Sequence, residues 1–104
     1  MARRFDVFEN PSPRLRHLAP YVVVLQSHFL EGLPSVIVAP LLIAERAERF
    51  AHLSIEVRVA NETLVVSLHE LAAVDERSLR AKVGDVTEHQ DKLDRGLQRL
   101  FTGF

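Results

Sequence analysis

One stretch of this chain repeats its apolar residues with the period of a helix, and it is the last. Leu93, Leu97, Leu100 and Phe101 stand at i, i+4, i+7 and i+8, so a helix there has one apolar face to cover. Thr87 followed by Gln90 has the spacing of a capping box, which supplies backbone donors at the helix start with partners. Glu88 with Lys92 and Asp91 with Arg95 are spaced for ion pairs between successive turns. Gly96 breaks the helical rule, either as neutral variation or because another surface comes close to the backbone. Gly103, after the last apolar residue, suits a left-handed terminator.

Upstream, the apolar runs are short and β-branched. Phe5-Asp6-Val7-Phe8 predicts a first strand, broken by Asn10-Pro11-Ser12-Pro13. Tyr21-Val22-Val23-Val24-Leu25 has no polar alternation, as expected of a strand buried on both faces. Gly32-Leu33-Pro34 predicts a turn, and Val36-Ile37-Val38 a third strand that ends at Pro40, followed by a short helical or irregular connection over 41–50. Positions 54–59 alternate with period two, Ala60-Asn61-Glu62 turns, and 63–67 returns, which is the pattern of an antiparallel hairpin. Stretches 68–74 and 78–83 fit either a short strand or a helical turn. The expectation is an α+β fold: a small antiparallel, barrel-like sheet with a single C-terminal helix, in one domain over residues 1–104.

Composition excludes several classes of function. There are no cysteines, hence no disulfide, Cys-bound zinc or thiol nucleophile. Thirteen Lys and Arg against fourteen Asp and Glu give a formal charge of −1, so net charge does not draw the chain to nucleic acid or anionic lipid. The longest apolar stretch, 32–44, contains Pro34 and Pro40 and falls short of the roughly 20 residues that span a bilayer. Asp6 and Glu9 lie where the apolar core of an export signal would run, so a cytoplasmic location is expected and no membrane partner.

His17, His28, His52, His69 and His89 show no metal-ligand spacing, and the four glycines form no phosphate-binding fingerprint, so neither a metal nor a cofactor is expected. No nucleophile elbow surrounds any serine. Acid–base chemistry has one candidate, the cluster Arg14, Arg16 and His17. An imidazole to move a 2′-hydroxyl proton and a cation to stabilise the phosphorane are what a small ribonuclease requires.

Three stretches together resemble the CcdB family of bacterial toxins. Val24-Leu25-Gln26-Ser27 followed by the apolar pair Phe29-Leu30 is similar to the family's Val-x-Val-Gln-Ser strand and the exposed pair after it. Val38-Ala39-Pro40-Leu41 resembles its Val-Ile-Pro-Leu run, and Leu100-Phe101-Thr102-Gly103-Phe104 its apolar C-terminus with glycine second from last. The resemblance implies a non-enzymatic, homodimeric cytoplasmic toxin. Such toxins wedge between the A subunits of DNA gyrase, trap the cleaved-DNA complex, and are released by a cognate antitoxin of the CcdA type. By matched position it assigns gyrase contact to Phe29, Leu30, Gln98, Phe101, Thr102, Gly103 and Phe104. Thr102 departs from the family, a well-known member of which carries tryptophan there; losing such an anchor removes roughly 2–4 kcal/mol of binding.

Phe101 has a plainer role open to it, as a continuation of the Leu93-Leu97 face into the core or a dimer contact. An acidic, disordered antitoxin segment is expected over Arg14, Arg16, Phe29 and Leu30. Two competing readings stand beside the gyrase poison: an endoribonuclease toxin acting through Arg14, Arg16 and His17, and a dimerisation module that has lost its target.

Overall fold

The computed structural model describes residues 2–28, 30 and 32–103, so Phe29 and Phe104 lie outside the described residues. Among the described residues seven strands precede the helix: β1 (Asp6–Glu9), β2 (Tyr21–Val24), β3 (Ser35–Ile43), β4 (Ser54–Val59), β5 (Glu62–Ser67), β6 (Ala72–Asp75) and β7 (Lys82–Asp85), then α1 (Gln90–Thr102). All pairings are antiparallel, in the order β4-β5-β3-β2-β1-β7, with β6 pairing β3 beside β5. The sheet curls until its edges approach, so that a Cβ added to Gly84 on β7 would stand 3.3 Å from Val59 Cγ1 on β4. This curled half-barrel with its terminal helix is the expected α+β fold.

Side-chain alternation divides the interior in two. Val7, Val23, Ala39, Leu41, Val57, Val59, Leu64 and Val66 point to the face that α1 covers, where Leu68 and Leu93 join them. Phe8, Val22, Val24, Val36 and Val38 point the other way and form a smaller cluster with Val74 and Leu79. β2 is therefore buried on both faces, as its unbroken apolar run implies. The hairpin is present with a shorter turn than read: Glu62 belongs to β5 and pairs with Val59, and Ala60 and Asn61 both have positive φ, the backbone of a tight two-residue turn.

The structure corrects four readings. Pro40 does not end β3, which runs to Ile43 with Pro40 opposite Val22. Leu25 N–H donates to Ile37 O, which directs the backbone groups of odd-numbered β3 residues toward β2. Pro40, even-numbered, lacks its donor on the other side, where pairing passes from β6 (last at Val38) to β5 (first at Leu41). Thr87 does not cap the helix through its hydroxyl; residues Thr87–His89 form a 3-10 turn, and Asp85 Oδ1 accepts from Thr87 N–H at 3.0 Å. That bond, with a second from the Thr87 side chain, holds the Asp85 carboxyl below the usual carboxylate range. Neither Glu88–Lys92 nor Asp91–Arg95 forms an ion pair; Asp94 is bound by Arg4 instead, at 2.7 Å. Phe101 is not core: it is 70% exposed.

Gly96 is settled in favour of close approach. It is buried, and a Cβ there would overlap Leu68 Cδ1 and lie 3.0 Å from His52 O. Gly103 ends α1 with φ +80, its N–H donating to Arg99 O at 2.9 Å.

Candidate functional site

The residues singled out in the sequence fall on three separate parts of the surface. The first is the tip of α1. Leu93 fixes the helix root in the core, Leu97 and Leu100 are half-buried, and beyond them Gln98, Phe101, Thr102 and Gly103 face solvent. Thr102 Oγ1 donates to Gln98 O at 2.6 Å, so this side chain folds back on its own helix rather than reaching outward. What the tip presents is the Phe101 ring, on a rigid element and with its chain turned away at Gly103.

The second part is the loop after β2. Leu30 and Leu33 are 57% and 50% exposed, two large apolar side chains on one connection. Gln26 Oε1 accepts from Ile37 N–H at 3.2 Å, extending the β2–β3 pairing into the loop. Arg3 and His28 are joined at 3.1 Å. Arg4 then links this loop to the helix. Its Nε donates to Leu25 O at 3.0 Å, its guanidinium reaches Asp94, and it lies 4.5 Å over the centroid of the Phe5 ring. Phe5 holds a left-handed φ of +74, an uncommon conformation for an aromatic residue, and its N–H bonds Val24 O. Sequence reasoning missed Arg4, because an arginine beside Arg3 near the start of the sequence shows no pattern that names a partner ninety residues away.

The third part is the 10–19 loop. Arg14 and His17 are exposed and their side chains hold no partner among the described residues, whereas Arg16 is engaged twice, by Asn10 O at 2.7 Å and by Glu9 at 3.1 Å. Leu15 and Leu18, 52% and 44% exposed, overhang an apolar groove of about 340 Å³ whose floor includes Val22, Val38 and Pro40. Arg14, Arg16 and His17 share this loop and are all exposed, and among the described residues no carboxylate orients His17. Nor does the structure join Arg14 and Arg16 to Leu30. Their loops leave opposite ends of β2, a four-residue strand and so about 13 Å long. Among the described residues no group of three or more His, Asp or Glu is placed to hold a metal ion. Nor is any helix among the described residues long and apolar enough to cross a membrane.

Comparison with known proteins agrees with this architecture. The family model of the CcdB protein matches residues 4–103. A search of curated proteins finds no match. Among solved structures, an endoribonuclease from a mycobacterial species superposes with a TM-score of 0.74 at 13% identity, over 94% of this chain and 88% of the other. A mycobacterial endoribonuclease in complex with its cognate antitoxin gives 0.74 at 12% identity, over 96% and 94%. A MazE-MazF structure from Deinococcus radiodurans gives 0.70 at 16% identity, over 98% and 95%. At these identities the likeness is one of fold.

Proposed function

The chain belongs to the CcdB family of toxin–antitoxin toxins, and from that premise we propose that it poisons DNA gyrase without catalysis of its own. A homodimer presents two helix tips to the two gyrase A subunits and holds the cleaved-DNA complex open to no religation. The observation that carries this reading is Phe101. A phenylalanine 70% exposed on a helix anchored by the fully buried Leu93 is a rigid apolar projection, and burying such a side chain against a partner contributes roughly 1.5–3 kcal/mol. Two copies related by a two-fold axis fit a two-fold target. Gln98, Thr102 and Gly103 frame the ring, Phe104 follows in sequence, and Leu30 with Phe29 supplies the second contact. With Thr102 bonded to its own helix, the tip depends on Phe101 more than a tip carrying tryptophan would.

The cognate antitoxin is an acidic, extended segment. Its apolar side chains enter the groove beneath Leu15 and Leu18, its carboxylates meet Arg14 and Arg16, and a further stretch of it covers Leu30.

The endoribonuclease reading is favoured by one observation, the shared fold with endoribonucleases. Against it, Arg16 is already paired with Glu9 and the side chains of Arg14 and His17 stand in open solvent, without the enclosed geometry that phosphoryl-transfer catalysis uses. One experiment separates the readings: the purified protein is incubated with gyrase and supercoiled plasmid, quenched with denaturant, and in parallel incubated with RNA. Double-strand breaks are expected and intact RNA. RNA cleavage that disappears in His17→Ala, with no DNA breaks, replaces the proposal by the second reading; neither product leaves a dimerisation module.

A further inference from the structure

Helix α1 carries a face that none of this uses. Lys92, Arg95 and Arg99 follow one another at i, i+3 and i+7, so they project to one side, and Gly96 lies between them. Opposite stands the turn that precedes β4, where His52 holds a left-handed φ of +71 and brings its carbonyl against Gly96. Helix and turn enclose a groove of about 270 Å³ lined by His52, Ile55, Lys92, Arg95, Gly96 and Arg99. No carboxylate lines it. None of the three cationic side chains forms an ion pair or hydrogen bond with any described residue, although ion pairs occupy Arg4, Arg16, Arg49, Arg77 and Lys82 elsewhere. In a chain of net charge −1 this is a local concentration of unneutralised positive charge.

We infer that this groove is a docking site for an acidic peptide segment with an apolar residue between its carboxylates, separate from the surfaces that carry Arg14, Arg16 and Leu30. Lys92 to Arg99 spans about 10 Å along the helix, and carboxylates two residues apart on an extended strand are about 7 Å apart, so one short segment meets the three cations. Ile55 on the floor decides between polyanions. A peptide satisfies it with an aliphatic side chain, whereas a phosphodiester backbone has no apolar group to offer. A nucleic-acid strand also needs a longer cationic track than these three side chains supply. The inference does not depend on what the toxin acts upon.

The test is a titration of the full-length protein, followed by backbone amide resonances, with the blocked peptide Asp-Glu-Leu-Glu-Asp as probe at low salt. Saturable shifts are expected at His52, Arg95, Gly96 and Arg99. The double variant Arg95→Glu, Arg99→Glu, both exposed and so compatible with folding, is expected to lower the affinity about tenfold or more. Arg80→Glu, at an exposed arginine that does not line this groove, is expected to leave it within about twofold. Absence of saturable shifts, shifts confined to the 10–19 loop, or affinity indifferent to the double charge reversal overturns the inference. So does an oligothymidylate that binds the same residues more tightly than the peptide. Because the readout is peptide binding, it stands or falls apart from the gyrase cleavage assay.

Discussion

The two ends of α1 have the same sequence pattern and opposite fates. At the root, Leu93 is fully buried and Gly96 touches Leu68 and the His52 carbonyl; two turns further, Phe101 stands 70% exposed. The apolar period does not change between them. What changes is the floor: the helix packs on β4 and on the 3-10 turn Leu68–Glu70, and these partners lie under its first half. Helical periodicity states which side of a helix is apolar, and only the rest of the fold states how much of that side is covered. An apolar stripe longer than its floor is how a small protein builds a rigid contact for a partner.

If the root is structural and the tip is not, substitutions must act in that order on stability. Leu93→Ala is expected to have the largest effect, a loss of about 2–5 kcal/mol, since the side chain is wholly buried and its neighbours belong to rigid strands. Thermal unfolding measures it; a midpoint close to wild type would mean that the root is not the anchor. Gly96→Ala comes next. Alanine gains about 1 kcal/mol in helix propensity but meets Leu68, itself fully buried, and a backbone carbonyl that cannot turn aside, so a net loss of about 1–2 kcal/mol is expected. A stabilised Gly96→Ala variant would show that the helix and the 50–53 turn are held less closely than drawn.

The same division explains what could be read from the chain. The β4–β5 hairpin was legible because its determinants are local: alternation and a turn residue pair with positive φ at Ala60 and Asn61. β2, buried on both sides, announced itself through Val22-Val23-Val24. Pro40 misled because its tolerance depends on β3 changing partners beside it, a fact of topology that no window around residue 40 contains. The exposure of Phe101 was hidden for the same reason. Of the candidate site, the residues of the tip and loop are assigned by family likeness and by no local pattern of their own. Arg4, which ties the end of β2 to Asp94, had no local signature.

Asp85 tests the entry to the root at smaller scale. Its carboxylate accepts from Thr87 N–H and has a depressed pKa, so the charged form is the one the fold prefers. The stabilisation is present above the unfolded value of about 4 and is lost as pH falls through the folded one. Asp85→Ala is expected to cost about 0.5–1 kcal/mol at neutral pH, solvent exposure keeping it small, and the difference from wild type is expected to shrink toward pH 3. Denaturant titrations at the two pH values measure it. A gap that widens on acidification would show that the bond does not hold the turn.

The smallest effect on stability belongs at the tip, where deletion of Thr102, Gly103 and Phe104 removes one side-chain bond back to Gln98, the Gly103 terminator and no described core residue. Helix termini fray at little cost, and the loss is expected to be about 0.5 kcal/mol or less. Function is expected to respond in the reverse order. Without its terminator the last turn no longer fixes Phe101, and an apolar projection that is free to fray gives up the advantage of rigidity in the proposed contact. Gyrase-mediated DNA cleavage is therefore expected to vanish in the truncated protein, while its unfolding midpoint stays within a few degrees of wild type, in line with roughly 4–8 °C per kcal/mol for a domain of this size. Thr102→Trp runs the contrast the other way: it removes the bond to Gln98, changes stability little, and is expected to strengthen poisoning by adding an aromatic anchor beside Phe101. A truncated protein that is folded and still traps cleaved DNA would move the contact away from this helix, to the loop that carries Leu30.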